Sequence, residues 1–218
     1  MAASDLNLSG FSAEFQREFD EKMRAREKAL SASRSAIRSS ANAIRAIHRG
    51  ELDQAHQLME EARSALAGGK AAVREAHADV YFAGFLQDAQ KEYAESRLTE
   101  AIVTDADLPS REDLDVELAA YLNGMAESIG EGRRAILDLL RQGDTERGER
   151  ILSAMEDMYG LLVSMDYPDA ITANLRRSTD IARSIIERTR GDLTVTLVQR
   201  KLQEALERHA DQLRDRPS

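Results

Sequence analysis

No proline interrupts the chain before Pro109, and only Pro168 and Pro217 follow, so long stretches contain no residue that lacks a backbone donor or has a locked φ. Ala, Leu, Arg and Glu dominate those stretches and runs of β-branched residues are almost absent, which restricts the chain to an all-α fold. The apolar residues agree, because they recur every three or four positions. Phe11, Phe15 and Phe19 form one such row, Ile37, Ala41, Ile44 and Ile47 another, Phe82, Phe85, Leu86, Ala89 and Tyr93 a third, and Met125, Ile129, Ile136 and Leu140 a fourth.

Turn and capping residues divide this pattern into seven predicted helices. The first runs from about Phe11 to Arg49 and stops at Gly50. The second spans Leu52 to Ala67 and ends at Gly68-Gly69, and the third runs from about Lys70 to Val103. The segment "TDADLPSRED" forms a loop, a fourth helix continues to about Arg141 before Gly143, and Asp144 caps a fifth. "DYPDAIT" separates the fifth from a sixth that ends at "TRGD". The last spans Leu193 to about Leu213, apolar at Leu193, Leu197, Leu202, Ala205 and Leu206. Residues 1–10 are expected to be disordered. No long Gly/Ser-rich linker and no internal repeat divides the chain, so residues 1–218 read as a single domain, a helical bundle. A domain of that size can bury about 70% of its unfolded surface.

Composition closes several routes. The chain has no Cys, which excludes disulfides, thiolate metal sites and cysteine nucleophiles. The start of the chain lacks a charged segment followed by an apolar one, and no stretch approaches about 18 uninterrupted apolar residues. A soluble, cytoplasmic protein with no membrane partner is the expectation. Asp and Glu number 39 against 30 Lys and Arg, so a polyanionic partner has to meet a local basic stripe inside an acidic whole.

Two constellations carry possible chemistry. Glu92 and Glu95, three residues apart, share one side of the third predicted helix, flanking its apolar face, and Glu127 and Glu131, four apart, share one side of the fourth, nearly opposite its apolar face. Converging carboxylates suit a hard divalent ion such as Mg²⁺ or Mn²⁺, whereas the same pairs on separate surfaces are merely solvated. Arg34, Arg38, Arg45 and Arg49 fall within about 60° of one another around the first helix. Such a row either tracks phosphates or pairs with acids on other helices. The four His, at 48, 56, 77 and 209, form no metal-binding pattern, and His48, beside Arg49, either joins the basic row or, the favoured reading, is a lone surface or capping residue. Tyr93, Tyr121 and Tyr159 sit at apolar positions and read as core.

Four segments, "SRSAIRSSANAIRAIHRGE", "QKEYAESRLTEAIV", "AYLNGMAESIGEGRR" and "NLRRSTDIARSIIERTRGDLT", in this order and over most of the chain, resemble the translin/Trax superfamily, particularly its archaeal single-subunit members. The resemblance implies a seven-helix subunit that assembles into a hollow homo-octamer enclosing single-stranded RNA or DNA. In the Trax branch it implies Mg²⁺-dependent endoribonuclease activity resting on four interior acids. By motif these are Glu92 and Glu95 in "EYAES" and Glu127 and Glu131 in "YLNGMAESIGE", with Glu127 standing where the pattern has Asp. Nucleic-acid contact is then expected from Arg34, Arg38, Arg45 and Arg49, joined by Arg133 and Arg134. Two alternatives remain at this level: a non-catalytic module binding single-stranded nucleic acid, and an all-α nucleotide pyrophosphohydrolase of the MazG type, which also pairs ExxE with later acids.

Overall fold

The computed structural model of the protein describes residues 8–214, and all regular structure among them is helical. Six long helices carry the fold: α1 (Leu8–Arg49), α2 (Leu52–Val73), α4 (Phe85–Thr104), α6 (Leu118–Gln142), α7 (Thr145–Val163) and α9 (Leu175–Arg214). Between them lie three single turns, α3 (Ala78–Tyr81), α5 (Arg111–Leu114) and α8 (Asp169–Thr172). Helix α4 packs between α1 and α6, α2 covers α1 and α4, and α7 and α9 close over the far side of α6.

The stops at Gly50 and Gly143 and the Asp144 cap lie where expected, the last with its side chain accepting a hydrogen bond from the Arg147 backbone N–H at 3.1 Å. Two boundaries differ. Helix α2 runs straight through Gly68-Gly69, and Gly69 is where α2 packs tightly against both α1 and α4. A Cβ there would lie 3.1 Å from Ala32 Cβ and 3.2 Å from Leu86 Cδ2. The chain breaks later, across residues 74–84, so the expected third helix starts at Phe85 instead of Lys70. The "TRGD" stretch likewise ends nothing: Gly191 and Asp192 continue inside α9, which merges the last two predicted helices, since packing of Ala182, Ile186 and Leu193 outweighs one helical glycine. At the start, Leu8–Gly10 belong to α1; residues 1–7, expected to be disordered with them, lie outside the described residues.

The main core joins Ile47, Met59, Leu66, Tyr93, Leu98, Ile129, Ile136, Met155, Leu162 and Leu175 from all six long helices. Each such side chain withdrawn from water contributes about 1.5–3 kcal/mol. Tyr121 meets its polar requirement by donating from its hydroxyl to the Pro109 carbonyl at 2.9 Å. Phe82, expected in the core, is 67% exposed because it lies past the one-turn helix α3 and before α4 begins. The apolar rows at the outer ends of the two longest helices also stay uncovered. Phe11, Phe15, Phe19 and Met23 on α1 are exposed, as are Val195, Val198, Leu202 and Leu206 on α9.

Candidate functional site

The crossing of α4 and α6 places the acidic residues. Gly124 makes that crossing close: a Cβ at this position would lie 2.7 Å from the Lys91 carbonyl and 3.0 Å from both Ala94 Cβ and the Glu95 nitrogen. A glycine inside a helix costs about 1 kcal/mol relative to alanine, so it needs a packing reason, and here the reason is backbone-to-backbone approach beside the carboxylates. Asn123 fixes α8 and α9 to the same stretch of α6. Its amide donates to the Thr172 carbonyl at 2.9 Å and its oxygen accepts from the Ser178 hydroxyl at 2.8 Å.

Glu92, Glu95 and Glu127 converge across this crossing, each offering a carboxylate oxygen within 4.8 Å of the others. Glu95 was expected beside the core, yet it is only 9% exposed, because Gly124 lets α6 close over it. Burial, reinforced by the charges of Glu127, Glu92 and Glu131 and partly relieved by Lys91, pushes its carboxyl up to about 8. Glu131 does not join the three. Its Oε2 lies 2.5 Å from His48 Nε2, and since an ionised carboxylate can only accept, the imidazole donates. That bond holds Glu131 below its ordinary range, against the effect of burial and with help from the charges of His48 and Arg134. A recess of 280 Å³ opens beside the cluster, lined by Glu95, Ala126 and Glu127 and by Ser178, Ile181 and Ile185 of α9.

The basic row on α1 is exposed along its length. Arg34 and Arg38 have no acidic partner among the described residues, and Arg45 bonds only to the Asn42 side chain one turn away, at 2.7 Å. Arg49 alone is taken up, by the neighbouring Glu51 at 2.8 Å. Pairing with other helices therefore does not account for the row. Its inner flank is His48, which turns from the row toward Glu131 and is not a surface residue: its side chain is 4% exposed. Arg133 is occupied by Asp192 of α9 at 2.9 Å, and Arg134 leans to Glu131 at 3.7 Å.

Three participants escaped the sequence patterns. Lys91 bonds Glu127 across the crossing at 2.7 Å, and a helical projection that places it one turn before Glu95 could have marked it. Gly124 was legible as an unexplained glycine in mid-helix. His48 carried no signal linking it to a residue 83 positions away.

The raised carboxyl of Glu95 has a measurable consequence. In the ion-free protein the folded state holds a proton at Glu95 that the unfolded chain releases around its ordinary value of 4.5. Stability should therefore be full below that value, fall as pH rises, and level off above about 8. Glu131 acts oppositely, contributing stability above the ordinary carboxylate range that is lost as pH falls through its depressed value. Denaturant midpoints in chelator, measured from about pH 5 to pH 9, should decline for the wild type and decline less for Glu95→Gln. Equal slopes would mean that Glu95 is ionised in the folded protein throughout.

No model of a known protein family matches the chain. An uncharacterized protein of Methanocaldococcus jannaschii is 33% identical over 189 residues, covering 84% of this chain and 81% of that protein. Among solved structures, AfC3PO is similar at 33% identity and a TM-score of 0.78, over 86% of this chain and 97% of its own. The same protein in complex with duplex RNA gives 32% identity and a TM-score of 0.79 over the same shares. NeC3PO, at 20% identity and a TM-score of 0.72, over 89% of this chain and 100% of its own, shares the fold. No helix among the described residues is long and apolar enough to cross a membrane. The order of the four quoted segments, the all-α bundle and these similarities agree, and the chain belongs to the translin/Trax superfamily.

Proposed function

We propose that this protein binds RNA inside a homo-oligomeric, octameric shell and cleaves it as an endoribonuclease with Mg²⁺ or Mn²⁺, single-stranded RNA being the substrate and single-stranded DNA a competing ligand. The observation that carries this reading is the approach of Glu92, Glu95 and Glu127 to within 4.8 Å of one another from two helices; the exposed row on α1, where Arg34 and Arg38 have no acidic partner among the described residues and Arg45 bonds only Asn42, supports it.

The donor set suits a hard divalent cation, because all three groups are carboxylates on a rigid helix crossing. The Glu95 carboxyl, raised first by burial and then by the charges of Glu127, Glu92 and Glu131, would recover its ionised form beside a bound cation. When bound, such an ion activates water and offsets charge on the phosphodiester. The protein's own groups do the remainder. Glu92, Glu95 and Glu127 hold the ion, Glu131, kept ionised by His48, adds negative charge beside them, and the recess toward α9 receives the nucleotide next to the scissile phosphate. Arg34, Arg38 and Arg45 hold the strand through its phosphates, with Arg49 joining them once it leaves Glu51.

Assembly is supported by the uncovered apolar rows on α1 and α9, which one subunit leaves in water. An RNA partner is supported by the similarity to AfC3PO, solved with duplex RNA. Family membership removes the pyrophosphohydrolase alternative. Native mass spectrometry should show an octamer, and labelled RNA should be bound without Mg²⁺ and cut only with it. Binding with no Mg²⁺-dependent cleavage would leave the non-catalytic module, and a dimer with nothing larger would remove the enclosed chamber. Single-stranded and duplex RNA, run as separate arms, distinguish the two substrates.

A further inference from the structure

Lys91 immediately precedes Glu92 in α4, and its ammonium reaches across to α6. Its Nζ lies 2.7 Å from Glu127 Oε1 and 3.4 Å from Glu92 Oε1. Both carboxylates belong to the converging three, and Lys91 is the one basic side chain among the described residues that pairs with any of them. Glu131 has its own partners in His48 and Arg134, so the ammonium is committed to the cation cluster. A divalent cation on these oxygens competes directly for Glu127. An ammonium is a compact, hydrated charge on a flexible four-carbon stem, able to leave one oxygen for another without rearranging the backbone.

We propose that Lys91 is the resting counter-ion of the acid site: it competes with the divalent cation for Glu127 and, once displaced, pairs with the phosphodiester oxygens of bound RNA. The inference rests on the cation site proposed above. It separates two effects that a merely structural lysine would join. Removing the ammonium leaves three carboxylates without a competitor, so the cation binds more tightly, while the substrate loses a positive partner and is cut more slowly.

The test uses the full-length protein as wild type, Lys91→Met and Lys91→Arg. Mn²⁺ alone is titrated by electron paramagnetic resonance, and single-turnover cleavage of labelled RNA is followed at saturating Mn²⁺. Lys91→Met should bind Mn²⁺ about 3- to 10-fold more tightly, the worth of one partly exposed ion pair. It should cleave at least about 10-fold more slowly, the loss of one charge from the phosphate's surroundings. Lys91→Arg should return both values toward wild type. Mn²⁺ affinity that is unchanged or weaker in Lys91→Met overturns the counter-ion role. Tighter Mn²⁺ with undiminished cleavage overturns the phosphate contact. A wild type that binds no Mn²⁺ overturns the cation site itself and this inference with it, whereas a wild type that binds Mn²⁺ just as Lys91→Met does overturns this inference alone.

Discussion

Replacing Gly124 by alanine should destabilise the protein by about 1–3 kcal/mol and weaken Mn²⁺ binding at least about tenfold. Alanine is ordinarily the better helix former by about 1 kcal/mol, so the sign of the effect depends entirely on what the new Cβ meets. It meets backbone: the Lys91 carbonyl at 2.7 Å and the Glu95 nitrogen at 3.0 Å, neither of which can swing aside as a side chain would. Helices α4 and α6 must then separate, carrying Glu92 and Glu95 away from Glu127. Gly130, fewer than two turns further along the same helix, is the control, since a Cβ there meets only Ile185 Cδ1 at 3.8 Å. Gly130→Ala should be neutral or stabilising by up to about 1 kcal/mol. Chemical denaturation and Mn²⁺ titration read both variants. A Gly124→Ala protein as stable and as cation-competent as wild type would show that this close crossing is not what assembles the acids.

Replacing Glu127 and Glu131 together by alanine should abolish RNA cleavage while leaving octamer formation and RNA binding in place. Loss of a group behind a metal ligand typically costs 10- to 100-fold, so loss of a ligand itself should cost more than about 100-fold. The two single variants carry further information. Glu127 belongs to the converging three and shares Lys91, whereas Glu131 stands with His48. Glu127→Ala should therefore remove Mn²⁺ binding, and Glu131→Ala should retain most of it while slowing cleavage. The exposed apolar rows of α1 and α9, on which the proposed assembly would rest, are touched by neither substitution, so native mass spectra should be unchanged. Hydrolysis retained by the double variant would move the chemistry to another part of the chain.

The sequence by itself determined the helical class, the stops at Gly50 and Gly143, the Asp144 cap and most of the core, because helix propensity, capping and apolar period are local properties expressed within a few residues. It also identified the family, since the order of the four quoted segments along the chain survives without coordinates. Only the tertiary structure decided which neighbours those residues acquire. Gly68-Gly69 and Gly191 looked like stops because glycine is unfavourable in an isolated helix, but Gly69 is required by close approach to Ala32 and Leu86, and Gly191 is carried by the packing of α9. Glu95 looked like a residue beside the core and is buried, and Glu131 looked like the fourth member of one cluster and pairs with His48. Burial and partner choice arise where α4 meets α6 and α1 meets both, between residues far apart in the chain, and a periodicity read along one helix contains no information about the helix that will cross it.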